Sequence, residues 1–313
     1  MSSLPIRTRI VAGSQTSPIE TGLRNRMDHV VQADVLADGF RTRYLESKPD
    51  GTPKGTIVLV HDGAFGGDAA TSWRQQLVAL GDHYRVLAPD LLGYGGTDKA
   101  VYLGESPYEF RIRHLAAFCR AVGVVAPAHF VGVSFGGSML LRALAPTMPA
   151  LGIASLTSIG GTGGPWRSPL SSRLADYEGT EQDMARLLLL MVEPDMPGFA
   201  ELAESRYRNT LIPGHVEACL AARLRGPAPR SGTTEVWPEQ LRGCRTPVML
   251  VEGKRDVLME TGWSGNFEGV LDRLRIEVLD TKHLPNVDHP ELINELILDF
   301  VASVDGGEQP EHD

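Results

Sequence analysis

The 313-residue sequence predicts an α/β fold: a mostly parallel central sheet flanked by helices, with a helical cap inserted late in the chain. Three observations point there. Short, continuous Val/Ile/Leu-rich runs recur along the chain, each ending at Gly, Ser, Asp or His. Stretches with helical spacing separate most of them, which is the pattern of strands covered on both faces by helices. One interval, about 166–242, breaks the alternation with helical patterns alone.

Taken in order, residues 1–27 mix Ser, Thr, Pro, Gly and Arg without periodicity and read as an N-terminal arm. The first part of the core domain, 28–165, opens with "HVVQADVL" and "FRTRYLE", a hairpin with Asp38-Gly39 in its turn. The apolar runs that follow are "TIVLVH" (56–61), "YRVLAPD" (84–90), "AHFVGVS" (128–134), "IASLTSIG" (153–160), "PVMLVEG" (247–253) and "RIEVLD" (275–280). "SPYEFRIRHLAAFCRAVG" and "HPELINELILDFVASV" have helical spacing. In the cap, 166–242, Met184, Leu187, Leu188 and Met191 fall at i, i+3, i+4 and i+7, and "GFAELAESRYRN" and "HVEACLAARLRG" follow before the Pro/Gly/Arg-rich "GPAPRSGTT". The core resumes over 243–304, and 305–313 reads as an acidic, disordered tail.

Composition narrows the function classes. The net charge is −9 with scattered Lys and Arg, so no phosphate-tracking stripe is available for nucleic acid. Three widely spaced cysteines form no C-x-x-C pair, which argues against a disulfide framework or a metal site and for a reducing cytoplasm. No run approaches the ~20 apolar residues of a membrane span, and the first thirty residues hold no signal-like apolar stretch. The expected partners are a small-molecule substrate and, at most, a second copy of the chain in a homodimer.

Ligands of such sheets sit beyond the carboxyl ends of the strands, and three strand ends carry a matched set of groups. "GVSFGG" places Ser134 between Gly132 and Gly136 at a strand-to-helix junction, a G-x-S-x-G turn that exposes the hydroxyl. A serine hydroxyl needs a base oriented by an acid. "KRD" after "PVMLVEG" supplies Asp256, and "TKHLPNVDHPE" after "RIEVLD" supplies His283. His289, Asp280 and Glu252 are the alternatives: His289 belongs to a capped first turn, Asp280 would have to fold back, and Glu252 sits in its strand.

An acyl-transfer site also needs two backbone N–H donors for its oxyanion. Phe135 supplies one, and Gly63 or Ala64 in "VLVHDGAFGGD" supplies the second. A phosphate loop is disfavoured there, because no G-K-[ST] follows. His61 reads as a loop brace. Asp62, a carboxylate beside a site for negative charge, is expected to turn away from the pocket toward backbone or cationic partners. Met184, Leu188 and Met191 are expected to pack over Ser134 and, with Ala64, to contact substrate.

"LVHDGAFGG", "VLAPDLLGYGGTD", "VGVSFGG", "EGKRD" and "KHLPNVDHPELINELILDFV" together resemble the α/β-hydrolase superfamily, from about residue 30 to 303. Within it, "GAFGGDAATSWR" and "SRYRNTLIPG" are similar to the meta-cleavage product hydrolases, which break carbon–carbon bonds in vinylogous 1,5-diketones. The resemblance implies that Arg206 or Arg208 binds a substrate carboxylate and that a keto tautomer forms before Ser134 attacks; a solvated Arg206 on the cap surface is the plainer alternative. Three positions depart from the family pattern: Asp62 where Gly is usual, and Lys282 and Leu284 where Gly and Trp flank the catalytic His.

The expectation is a cofactor-independent serine hydrolase that cleaves an ester, lactone or activated C–C bond of an apolar small molecule through an acyl-enzyme. A non-hydrolytic receptor with an idle triad, or a lyase or cyclase using His283 alone, are the alternatives. Absence of fluorophosphonate labelling would favour the first, labelling with slow turnover would leave it open, and an acyl-Ser134 adduct would count against the second.

Overall fold

In the computed structural model, which describes residues 29–307 apart from 102–105, 107, 126 and 222–236, the apolar runs become strands of one eight-stranded sheet. The hairpin comes first: β1 (Val31–Ala37) pairs antiparallel with β2 (Phe40–Ser47) across Asp38 and Gly39. Both turn residues have positive φ, 50° and 82°, which suits a two-residue turn to the right-handed twist of its strands. The remaining strands are β3 (Thr56–Val60), β4 (Arg85–Pro89), β5 (Ala128–Val133), β6 (Ile153–Ile159), β7 (Val248–Gly253) and β8 (Leu274–Leu279).

Their order is β1-β2-β4-β3-β5-β6-β7-β8, antiparallel through β2–β4 and parallel from β4 onward. β3 lies between β4 and β5, so the chain winds one way after β3 and the other way after β5. Loops leaving the carboxyl ends at this switch diverge and leave a crevice. Val60 of β3 is in register with Gly132 of β5, so the "HDGAFGG" loop and Ser134 emerge side by side.

Helices cover both faces: α1 (Ala69–Gly81), α2 (Glu109–Ala121) and α3 (Phe135–Ala143), then α4 (Glu181–Leu188), α5 (Phe199–Thr210) and α6 (His215–Ala221), then α7 (Pro285–Asp288) and α8 (Pro290–Asp305). Asp68 starts α1 with a capping box, its carboxylate accepting the Thr71 N–H while the Thr71 hydroxyl accepts the Asp68 N–H. α4, α5 and α6 lie between β6 and β7, preceded by a 3-10 segment at Pro169–Ala175. The N-terminal arm, the end of "HVEACLAARLRG" and "GPAPRSGTT" fall outside the described residues.

One boundary needs correction. Asp305, assigned to the acidic tail, is the last residue of α8, and its carboxylate accepts hydrogen bonds from Tyr84 and His129. Tyr84 and His129 are buried, and the last turn of α8 brings their polar atoms a carboxylate partner. Among the described residues, no helix is long and apolar enough to cross a membrane.

Candidate active site

Ser134 sits at φ 54°, ψ −115° between β5 and α3, a conformation that non-glycine residues adopt only when the surroundings force it. The flanking glycines supply the force. A Cβ on Gly132 would lie 2.5 Å from the Gly137 nitrogen, and one on Gly136 would lie 2.3 Å from the Val60 carbonyl oxygen. Neither glycine is needed for its φ; both let β3, β5 and α3 approach closely enough to drive the turn. The Ser134 N–H donates to the Ile159 carbonyl of neighbouring β6, and the Ser134 carbonyl accepts the Ser138 N–H in the first turn of α3.

The structure brings Ser134, His283 and Asp256 together. His283 Nδ1 is 2.6 Å from Asp256 Oδ2, and His283 Nε2 is 2.8 Å from Ser134 Oγ. Because an ionised carboxylate only accepts, Nδ1 carries the proton and Nε2 accepts from the serine hydroxyl. Burial pushes the Asp256 carboxyl upward, but the His283 imidazole and the Leu258 and Met259 N–H groups outweigh it and hold the acid below its ordinary value. The alternative groups are engaged elsewhere. Asp280 pairs with Arg255, Glu252 accepts from Gly262 and Ser264, and His289 faces Asp288.

The "HDGAFGG" loop is specified peptide by peptide. His61 Nε2 accepts the Leu91 N–H, so its Nδ1–H donates to the Asp62 carbonyl at 2.6 Å. With that carbonyl fixed, the trans peptide points the Gly63 N–H the opposite way. The Gly63 carbonyl accepts from Tyr94, whose hydroxyl burial keeps well above its ordinary pKa and therefore protonated. Of the two candidate donors, Ala64 is already engaged: its N–H donates to Asp62 Oδ1 at 2.9 Å. Gly63 lies directly against Phe135, where an added Cβ would sit 2.8 Å from the Phe135 Cβ.

Asp62 takes both kinds of partner expected for it. Besides Ala64, its carboxylate accepts from Ser72 and from both terminal nitrogens of Arg206, at 3.1 and 2.6 Å. Burial opposes the charge, yet the Arg206 guanidinium, with help from His61 and the Ala64 N–H, holds the carboxyl far below its ordinary value. Stability from this group is therefore complete above the unfolded carboxyl pKa of ~3.9 and is lost as pH falls through the depressed folded value. Asp62→Asn should be destabilised at pH 7, with the gap to wild type narrowing below about pH 4 in urea unfolding.

A cavity of about 230 Å³ opens over Ser134, lined by Gly63, Ala64, Phe135, Met191 and His283 among the expected residues. Three expectations are corrected. Met184 and Leu188 do not line it: they are buried in the core, because the apolar face of α4 packs inward with α5 beside it. Met191 reaches the cavity because it lies beyond the end of α4, where its carbonyl accepts the Leu284 N–H. Arg206 is neither solvated nor in the cavity; its side chain is 0% exposed and committed to Asp62. Arg208 pairs with Glu204 on the surface.

Arg111 was missed. It lines the cavity from α2, its guanidinium carbon 4.6 Å from the Phe110 ring centroid and 5.5 Å from that of Phe135. The signal was present, since Arg111, Leu115 and Phe118 share one helical stripe at i, i+4 and i+7. In the sequence Lys282 stands out only as a departure from the family pattern. Its ammonium donates to the carbonyls of Leu189 and Val192, stitching the His283 loop to the segment after α4. Among the described residues, no group of three or more His, Cys, Asp or Glu could hold a metal ion.

A model of the alpha/beta hydrolase family matches residues 57–296. The 2-hydroxy-6-oxo-6-(2'-aminophenyl)hexa-2,4-dienoic acid hydrolase of Metapseudomonas resinovorans is 27% identical over 281 residues, 87% of this chain and 91% of that protein. The 2-hydroxymuconate semialdehyde hydrolase of Pseudomonas sp. strain CF600 is 27% identical over 288 residues, with 87% and 94% covered. Among solved structures, a serine hydrolase involved in carbazole degradation superposes with a TM-score of 0.73 at 25% identity, covering 87% of this chain and 99% of that one. The 2-hydroxy-6-oxo-6-phenylhexa-2,4-dienoate hydrolase of Rhodococcus sp. strain RHA1 superposes at 0.75 with 20% identity, covering 87% and 99%.

Proposed function

The chain belongs to the alpha/beta hydrolase family and is similar to meta-cleavage product hydrolases within it; on that premise we propose that it is a serine hydrolase working through an acyl-enzyme on a small carbonyl substrate. The observation that carries the reading is the relay from Asp256 through His283 to a serine hydroxyl held in a strained turn. In the first half-reaction Ser134 Oγ attacks the carbonyl carbon and its proton passes to His283 Nε2. Asp256 then faces an imidazolium it can stabilise without taking the proton itself. Charge on the carbonyl oxygen is met by the N–H groups of Gly63 and Phe135. His283 returns the proton to the leaving group, whether an alkoxide or a stabilised carbanion, and water repeats the sequence on the acyl-enzyme.

The likeness to hydrolases named for dienoic acids and a semialdehyde favours an activated carbon–carbon bond over a simple ester or lactone. The cavity, about 230 Å³, lies below the ~300–1,000 Å³ usual for drug-sized ligands and favours a small substrate. The direct experiment is a panel of a short p-nitrophenyl ester, a lactone and a vinylogous 1,5-diketone acid, assayed with wild type and Ser134→Ala side by side. Fluorophosphonate labelling reports the nucleophile independently of substrate. An unlabelled wild type with no turnover would favour a receptor instead.

Gly63→Ala tests the oxyanion assignment. The added methyl meets Phe135 at 2.8 Å and must push the two donors apart. The expected result is a kcat loss of about 10²–10³-fold, the cost of losing one oxyanion donor. KM should change little, because the ground-state carbonyl gains less from those donors than the oxyanion does.

A further inference from the structure

The Asp62–Arg206 pair joins a loop at the sheet switch point to a helix 144 residues further along the chain, with side chains 1% and 0% exposed. Stability alone does not account for it. Two charges are expensive to remove from water, and an apolar pair of similar volume commonly holds two elements together as well or better. What the pair adds is direction. The guanidinium fork fixes the plane of the carboxylate. The carboxylate, through Oδ1, fixes the Ala64 N–H. On the other flank His61 fixes the Asp62 carbonyl. Both peptides that flank Gly63, the one carrying its N–H and the one carrying its carbonyl, are thereby held, so Gly63 cannot rotate between them.

α5 and the following α6 grip the loop further along. His215 of α6 accepts the Gly66 N–H, Asn209 of α5 donates to the Gly66 carbonyl, and a Cβ on Gly66 would lie 2.1 Å from the Arg206 carbonyl oxygen. Arg206 also settles the electrostatics. An unpaired carboxylate one residue before the donor would oppose an oxyanion, whereas the pair presents no net charge.

We propose that Asp62 and Arg206 are positioning residues that aim the Gly63 N–H into the cavity, which makes α5 a structural part of the oxyanion site. This rests on the serine-hydrolase reading above. In that reading the helical insertion does more than cover the site: the cavity donor is correctly oriented only when α5 is docked.

The test compares Asp62→Asn, Arg206→Met and the double variant Asp62→Ala/Arg206→Met with wild type. Active sites are counted by fluorophosphonate titration run to completion. The readouts are kcat and KM on a p-nitrophenyl ester and the affinity for an alkyl boronic acid, which forms a tetrahedral anion on the serine. The expected result is a kcat per titrated serine lower by about 10²-fold, as for a small misplacement of a catalytic group. KM should stay within about threefold, and boronate affinity should fall in parallel with kcat. Variants that lose only melting temperature or yield, while kcat per titrated serine and boronate affinity stay near wild type, would overturn the proposal. The double variant leaves no unpaired charge and decides the matter if the single variants do not fold. Wild type that fails to label, or Ser134→Ala that keeps turnover, would instead remove the serine-hydrolase premise before any position-62 variant is read.

Discussion

Ser134→Ala is expected to lower kcat by roughly 10⁴–10⁶-fold while leaving the fold intact. The hydroxyl oxygen is the only heavy atom removed, and its hydrogen bond in the site is to His283 Nε2. The backbone strain at φ 54° is imposed by the close approach of β3, β5 and α3, so alanine inherits it unchanged. Stability should therefore stay within about 1 kcal/mol of wild type. On the proposed mechanism no acyl-enzyme then forms, and only the proposed oxyanion donors and substrate binding remain to accelerate direct attack by water. Single-turnover kinetics with the diketone acid, alongside a thermal melt, separates lost chemistry from lost protein. Activity surviving near wild-type level would assign the chemistry to a different group.

Asp256→Asn should cost about 10⁴-fold in kcat, by way of the wrong tautomer. The structure supplies the reason in advance. Asp256 Oδ1 accepts the Leu258 N–H at 2.8 Å, so the oxygen of an asparagine must stay on that side. Its NH₂ then faces His283 Nδ1, which must become the acceptor, and the imidazole proton moves to Nε2. His283 would then point a proton at Ser134 in place of a lone pair. The loss should appear in kcat more than in KM, and the Nδ1 proton resonance bonded to Asp256 in wild type should be absent from the NMR spectrum of the variant.

Much of the sheet was legible because buried parallel strands read as unbroken apolar runs. The β3–β8 boundaries fall within a residue of "TIVLVH", "YRVLAPD", "AHFVGVS", "IASLTSIG", "PVMLVEG" and "RIEVLD". The positions of Ser134, Asp256 and His283 were legible for a related reason: strand ends in such a sheet converge on one edge, so chain order nearly determines spatial order. What the sequence hid were choices of direction and partner. The periodicity of Met184 and Leu188 announces an apolar face but not which neighbour it meets, and α4 turns it toward the core. Asp62 and Arg206 each looked anomalous or surface-bound in isolation; only folding brings them together. Lys282 is similar, since its partners are backbone carbonyls, which carry no sequence signal.

The Lys282 stitch bears on how this architecture can be recombined. Inserted helical segments of such enzymes are tempting modules to exchange when a new substrate is wanted. Here the segment between β6 and β7 is bonded to the sheet side at two loops, by Arg206 and Asn209 at the "HDGAFGG" loop and by Lys282 and the Leu284 N–H at the His283 loop. A chimera that imports a foreign segment leaves Asp62 a buried anion without its fork, and Lys282 keeps its carbonyls only if the new backbone follows the same path after α4. Successful grafts will therefore need to carry positions 62 and 282 with the segment, as a single heritable block rather than an interchangeable lid.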